Sequence, residues 1–317
     1  MQGSRHCIKV HALPQEFAMM NFPFRPRAAL LGFLLTIGAC ATSGIASGAN
    51  TDAEIKFGGL ERHYVIHQPD GIGDRAVPLV VALHGGVGTG KIMEEQTGLD
   101  AVADRHGFIV VYPDGIGRAW NAGSCCAKPM KEKVDDVGFI RALIADVQRR
   151  HKIDTSRIYG TGFSNGAMLL HRIACEAPDT FAAIAPVSGG PMVSNCNERT
   201  PIPTLLIQGI ADPRIPWNGG IFDGSYRPSI KDIVSRFGKR NECSTQEQQT
   251  YDADGVQCRT LGGCRSGDEV TWCGLAGAGH QWPGGKTYMK FLLGANNERF
   301  DASQKIWTFF SKYRKKD

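Results

Sequence analysis

Two runs in this chain, Pro78-Leu-Val-Val-Ala-Leu83 and Phe108-Ile-Val-Val-Tyr112, are apolar almost without interruption. A strand with one face in water alternates polar and apolar residues; a run without alternation needs cover on both faces. Helices laid on either side of a parallel sheet provide that cover. The pattern around these runs agrees. Residues 94–106 between them read as a helix. Asp135-Asp136 can cap a helix whose Val137, Ile140, Leu143, Ile144 and Val147 share one face. Further strands are expected at 62–67, 157–160, 181–187 and 203–207, helices at 165–176 and near 227–240, a β-rich stretch at 247–275 and a last helix near 301–313. Strands alternating with helices form βαβ units around a mostly parallel sheet, so the expected class is α/β. No linker or repeat interrupts residues 54–317, which read as one catalytic domain.

The N-terminal residues read differently. Arg25 and Arg27 precede the apolar run 28–38, too short to span a bilayer, which is the form of an export signal. Residues 1–39 are therefore expected to be a signal sequence, with the true start at Met19 or Met20. The run ends Ile37-Gly38-Ala39-Cys40, which resembles a bacterial lipobox and makes Cys40 a lipidation candidate. Cleavage after Ala41 or Ala49 is the alternative. Residues 40–53, rich in Ala, Thr, Ser and Gly, read as a flexible tether. The expected location is outside the cytoplasm, periplasmic or extracellular, with membrane attachment through a lipid on Cys40.

Eight cysteines follow Cys40. An even number in an exported chain points to disulfides, and the absence of a paired C-x-x-C argues against structural zinc. Cys258 and Cys273 flank a strand–turn–strand pattern and can face each other across it; Cys243 with Cys264 is then a reasonable second bridge. Cys125, Cys126, Cys175 and Cys196 are not assigned by spacing. The net charge is +5, of which residues 1–39 carry +3. The short basic tail Lys312-Tyr-Arg-Lys-Lys316 is the one cluster, so nucleic acid is not an expected partner, and no protein partner is implied.

Chemistry concentrates at Gly162-Phe-Ser164-Asn-Gly166, a G-x-S-x-G placed between an expected strand and an expected helix. Small residues must flank a serine lifted above a sheet on a sharp turn, so Ser164 is the candidate nucleophile. A serine hydroxyl needs a base, and the base an orienting acid. Asp212 follows the strand at 203–207, and His280, in Gly277-Ala-Gly-His280-Gln-Trp-Pro-Gly-Gly285, follows the one near 269–275. The order Ser, Asp, His is that of α/β-hydrolases. His63, His67, His106, His151 and His171 precede Ser164 or lie within helix or strand patterns. His84-Gly85-Gly86 follows the buried strand 78–83, so backbone N–H groups of Gly86 and Asn165 are the candidate oxyanion donors. The overlapping Gly85–Lys91 stretch has the spacing of a phosphate-binding loop, but Ile92 stands where Ser or Thr would hold magnesium. Trp120, Trp217 and Trp282 lie in loops near the expected rim and are candidate substrate-binding residues. The chemistry calls for no metal or organic cofactor.

Together, Arg62-x-Tyr64, Leu83-His-Gly-Gly86, Gly107-Phe-Ile-Val-Val-Tyr-Pro-Asp114, Trp120-Asn121, Asp135-Asp-Val-Gly-Phe-Ile140, Gly162-Phe-Ser-Asn-Gly-Ala167, Ala174-Cys175 and Gly279-His-Gln-Trp-Pro-Gly284 resemble the polyhydroxybutyrate depolymerase/feruloyl esterase family. The resemblance spans most of residues 55–313 and implies a secreted serine esterase with an α/β-hydrolase fold. It implies the same roles for Ser164, Asp212 and His280, and it strengthens the Cys243–Cys264 pairing. Gly86 departs from the cysteine that many members carry there. Neither a Thr-rich linker nor a separate polymer-binding domain is seen. The expected reaction is hydrolysis of a polyester or oligoester through an acyl-enzyme. Feruloyl or acetyl xylan esters, and a non-catalytic ligand-binding lipoprotein, are the alternatives.

Overall fold

A computed structural model of the chain describes residues 48–194, 196 and 199–316. The expected signal over 1–39, Cys40 and residues 41–47 of the expected tether lie outside the described residues.

The strands and helices follow in the order β1 (Ala49–Phe57), β2 (Leu60–Gln68), β3 (Val77–Leu83), α1 (Gly90–Thr97), α2 (Leu99–His106), β4 (Ile109–Pro113), α3 (Ala127–Lys131), α4 (Asp136–Arg150), β5 (Ile153–Phe163), α5 (Asn165–Glu176), β6 (Ala183–Val187), β7 (Thr204–Gly209), β8 (Gly220–Phe222), β9 (Ser225–Arg227), α6 (Ile230–Arg240), β10 (Glu247–Ala253), β11 (Val256–Leu261), β12 (Val270–Leu275), α7 (Lys290–Leu293) and α8 (Ala302–Phe310). Among the described residues ten strands form one sheet, ordered β1-β2-β4-β3-β5-β6-β7-β12-β11-β10. The middle six, β4 to β12, are parallel; β1, β2, β10 and β11 join antiparallel at the two sides. This is an α/β-hydrolase sheet.

Burial explains the uninterrupted runs. In β3, Leu79, Val81 and Leu83 join a core with Ile140, Leu143 and Val147 of α4, Leu170 and Ile173 of α5, and Ile233 and Phe237 of α6. Val80 and Ala82 join a second core with Met93 of α1, Val102 of α2, and Ile306 and Phe310 of α8. Both faces of the strand are thus dry, and alternation has no place in it.

The chain departs from the sequence expectations at two places. Residues 49–53, assigned to the tether, form the first half of β1, which pairs with β2 from Ala49↔Gln68 to Phe57↔Leu60. Their polar side chains suit an exposed edge strand, and composition alone reads that as tether. The Gly58-Gly59 turn explains the pairing: both residues have positive φ, 59° and 77°, as a two-residue hairpin turn requires. The single helix expected over 94–106 is two helices, because Gly98 takes a left-handed conformation (φ 61°) between α1 and α2.

Cys243 is joined to Cys264, and Cys258 to Cys273 across the β11–β12 pair. The unassigned cysteines pair as Cys175–Cys196 and Cys125–Cys126. One buried ion pair ties β2 to α4: Arg62 Nη2 lies 2.8 Å from Asp136 Oδ1, both side chains almost wholly enclosed. Burial pushes the Asp136 carboxyl up and the Arg62 guanidinium down from their ordinary ranges. Removing one member strands a charge in the core, which costs about 3–5 kcal/mol. Asp136→Ala is therefore expected to lower the free energy of unfolding by about that amount, read as an earlier urea midpoint at unchanged slope.

Candidate active site

The strand β5 ends at Phe163 and α5 begins at Asn165, so Ser164 is the whole connection. Its backbone sits at φ 51°, ψ −115°, a region that costs an L-residue on the order of 1–3 kcal/mol. The neighbouring glycines permit the turn. A Cβ on Gly162 would meet the Gly166 carbonyl carbon at 2.7 Å, and one on Gly166 would run into the Leu83 carbonyl oxygen of β3. Only hydrogen at both positions lets α5 leave the sheet at this angle.

Ser164, Asp212 and His280 come together from three separate loops at the carboxyl ends of β5, β7 and β12. His280 Nε2 lies 2.8 Å from Ser164 Oγ, and His280 Nδ1 lies 2.8 Å from Asp212 Oδ2. Asp212 and His280 are buried. Asp212 also accepts the Arg214 and Ile215 N–H groups on its other oxygen, at 2.8 and 2.9 Å. A carboxylate with those donors stays an acceptor, so the proton between the pair belongs on Nδ1. That leaves Nε2 free to take the hydroxyl proton of Ser164.

The His280 loop is fastened to the segment that follows it. His280 N–H donates to Leu293 O (2.6 Å) and Gly279 N–H to Ala295 O (2.8 Å). The buried Gln281 amide closes the loop between them: Nε2 donates to Tyr288 O and Gly294 O, and Oε1 accepts the Tyr288 N–H. This clamp was not legible in the sequence, where Gln281 is only the residue after His280.

Gly86 is exposed and Asn165 opens the first turn of α5, where N–H groups have no partner within the helix. Among the described residues no hydrogen bond occupies either N–H. His84 organises the Gly86 loop. Its Nδ1 donates to Gly85 O (2.7 Å), and its Nε2 accepts Gly115 N–H (2.9 Å). Only a neutral imidazole can do both, and burial pushes His84 down to about 4.

The tryptophans need correction. Trp120 and Trp282 are wholly buried and cannot touch a substrate. Trp282 Nε1 donates to Ser303 Oγ, while Trp120 Nε1 donates to His84 O. Their polar N–H groups found partners inside the fold, which loop location alone does not reveal. Trp217 is half-buried, packed edge-on against Trp272 and over Gly274.

Residues 62–198 match the sequence profile described as esterase PHB depolymerase. The chain is 30% identical to a putative esterase, NocK, of Nocardia uniformis subsp. tsuyamanensis over 281 residues, covering 82% of each. It is also 30% identical to feruloyl esterase B of Piromyces equi over 250 residues, 73% of this chain but 45% of that protein. The solved structure of a ferulic acid esterase from the anaerobic fungus Anaeromyces mucronatus superposes with a TM-score of 0.52 at 16% identity, covering 86% of this chain and 92% of that one.

Two buried histidines make the fold acid-sensitive. Burial holds His84 near 4 and His171, beneath the Gly189 carbonyl, near 3, against 6.5 in an unfolded chain. Above pH 6.5 neither state carries the proton, so neither histidine affects stability. Below it the unfolded chain takes up protons that the folded one refuses, and stability falls by up to about 1.4 kcal/mol per pH unit per site. Melting temperature should fall steadily from pH 6.5 to 4, and His171→Gln should make that slope shallower.

Proposed function

Because the chain belongs to the esterase PHB depolymerase family, we propose that this carboxylic-ester hydrolase works through an acyl-enzyme on Ser164 and acts on aliphatic polyester or oligoester chains. The observation that carries the mechanism is the unbroken relay of two 2.8 Å contacts, Ser164 to His280 to Asp212. His280 takes the hydroxyl proton as Ser164 attacks the ester carbonyl. The N–H groups of Gly86 and Asn165 receive the charge that develops on the carbonyl oxygen. The ester C–O bond breaks, the alcohol leaves with the proton from His280, and the acyl group remains on Ser164. Water, activated by His280, then releases the acid and restores the serine.

The surface around these loops supports an apolar chain as substrate. Of the eight exposed large hydrophobics among the described residues, five lie on or next to the site loops: Val87, Ile210, Met289, Phe291 and Leu292. Val87 follows Gly86, Ile210 precedes the Asp212 turn, and the last three sit on the segment clamped to His280. Apolar side chains beside a site suit an apolar chain as ligand. Feruloyl esters are the second reading, favoured by the match to the Piromyces enzyme. Export belongs to the same proposal, supported by four disulfides and the apolar run after Arg27. In it Cys40 carries the lipid that holds the enzyme at a membrane.

Ser164→Ala should leave a folded protein with no turnover of a short p-nitrophenyl ester and no mass gain from a fluorophosphonate. A soluble hydroxybutyrate oligomer should be cleaved faster than methyl ferulate; the reverse order would move the substrate assignment to feruloyl esters. Full activity of folded Ser164→Ala would remove the mechanism.

A further inference from the structure

The two oxyanion donors belong to different parts of the chain, and one loop grips both. Asn165 has a buried side chain whose amide bonds at both ends. Its Oδ1 accepts the Trp120 N–H (2.7 Å), and its Nδ2 donates to Trp120 O (3.1 Å) and to Cys126 Sγ (3.3 Å). The ring of the same tryptophan reaches the other donor loop: Nε1 donates to His84 O (2.9 Å), two residues before Gly86. The indole also lies against the His84 imidazole, with ring centroids 4.8 Å apart.

The loop is itself held from behind. Asp136 Oδ2 accepts the Asn121 N–H, Asn121 Nδ2 donates to Val134 O, and Arg172 Nη1 donates to Asn121 O. At its far end Cys126 N–H closes back on Trp120 O, next to the Cys125–Cys126 bridge. A loop so anchored is a fixed reference against which both donors are set.

We propose that Trp120 and the Asn165 side chain are positioning residues for the oxyanion hole: together they hold the Gly86 and Asn165 N–H groups at the separation that fits a tetrahedral oxyanion. This rests on the nucleophile and donors proposed above. Preorganised donors act on charge that appears only in the transition state, so loosening them lowers kcat and leaves ground-state binding alone. Loss of a whole donor costs on the order of 10²–10³ in rate, and loss of its alignment less, about tenfold.

The test uses Asn165→Ala, which removes the grip but keeps the backbone N–H, and Trp120→Phe, which removes the Nε1 donor together with part of the ring packed on His84. On a short p-nitrophenyl ester each should show kcat lowered about tenfold with KM within twofold. Inhibition by a trifluoromethyl ketone, whose serine adduct carries an oxyanion, should weaken by the same factor. Inhibition by the matching amide, which forms no adduct, should not change. A merely structural role predicts a lower melting temperature with kcat and ketone inhibition within twofold of wild type, and that result in Asn165→Ala overturns the proposal. If Trp120→Phe does not fold, Asn165→Ala decides. Ser164→Ala, run alongside, separates the two levels: persistent turnover there refutes the nucleophile, whereas its loss together with unaltered Asn165→Ala kinetics refutes only the positioning.

Discussion

The backbone at Ser164 is the constraint around which the rest of the site is arranged. One residue has to end a strand, start a helix and raise its side chain off the sheet, and it does so at a φ that the chain resists. The turn persists because its surroundings allow no other. Glycines at 162 and 166 let α5 press against the end of β3, and Ser164 N–H is held by Val187 O of the neighbouring strand β6. The unfavourable conformation is therefore supported by two strands that are themselves sealed between two apolar cores.

Around that point, the site is built from buried polar groups, most of them hydrogen-bonded, while Arg62 Nε and Nη1 are enclosed without a hydrogen-bond partner among the described residues. The Asp212 carboxylate is enclosed, yet it takes two backbone N–H groups besides the imidazole. His84 is enclosed and neutral, using both ring nitrogens. Arg62 and Asp136 cancel in the core, and Asp136 then turns its second oxygen to Asn121, next to Trp120. A low-dielectric setting strengthens each of these bonds and penalises any that is missing, so the arrangement is rigid as well as specific.

Much of this was legible in the sequence, and the parts that were not share a cause. Uninterrupted apolar runs announced β3 and β4 because double burial leaves a compositional trace. Ser164, Asp212 and His280 were legible because each needs a small or turn-forming neighbour at a strand end. The first half of β1 was not, because residues 49–52 are exposed and carry no apolar face, and their pairing lies in hydrogen bonds to β2; the apolar alternation Ala53, Ile55, Phe57 begins only in its second half. Trp120 and Trp282 were misread for a related reason. A loop tryptophan is buried where apolar neighbours enclose its ring and an acceptor takes its N–H, and the acceptors here, His84 O and Ser303 Oγ, are 36 and 21 residues away.

The Gln281 clamp has a consequence for how such an enzyme can change. Tyr288 and Gly294 are drawn onto one amide, so the stretch between them is a closed staple whose base is fixed beside His280. Met289, Phe291 and Leu292 project from that staple into solvent. Substitutions of these exposed side chains change the surface beside the site and leave in place the groups that make the bonds to the histidine loop, among them His280 N–H to Leu293 O. The histidine loop is thus held through main-chain and amide bonds to the segment that follows it, and the exposed side chains on that segment can diverge while those bonds stay as they are.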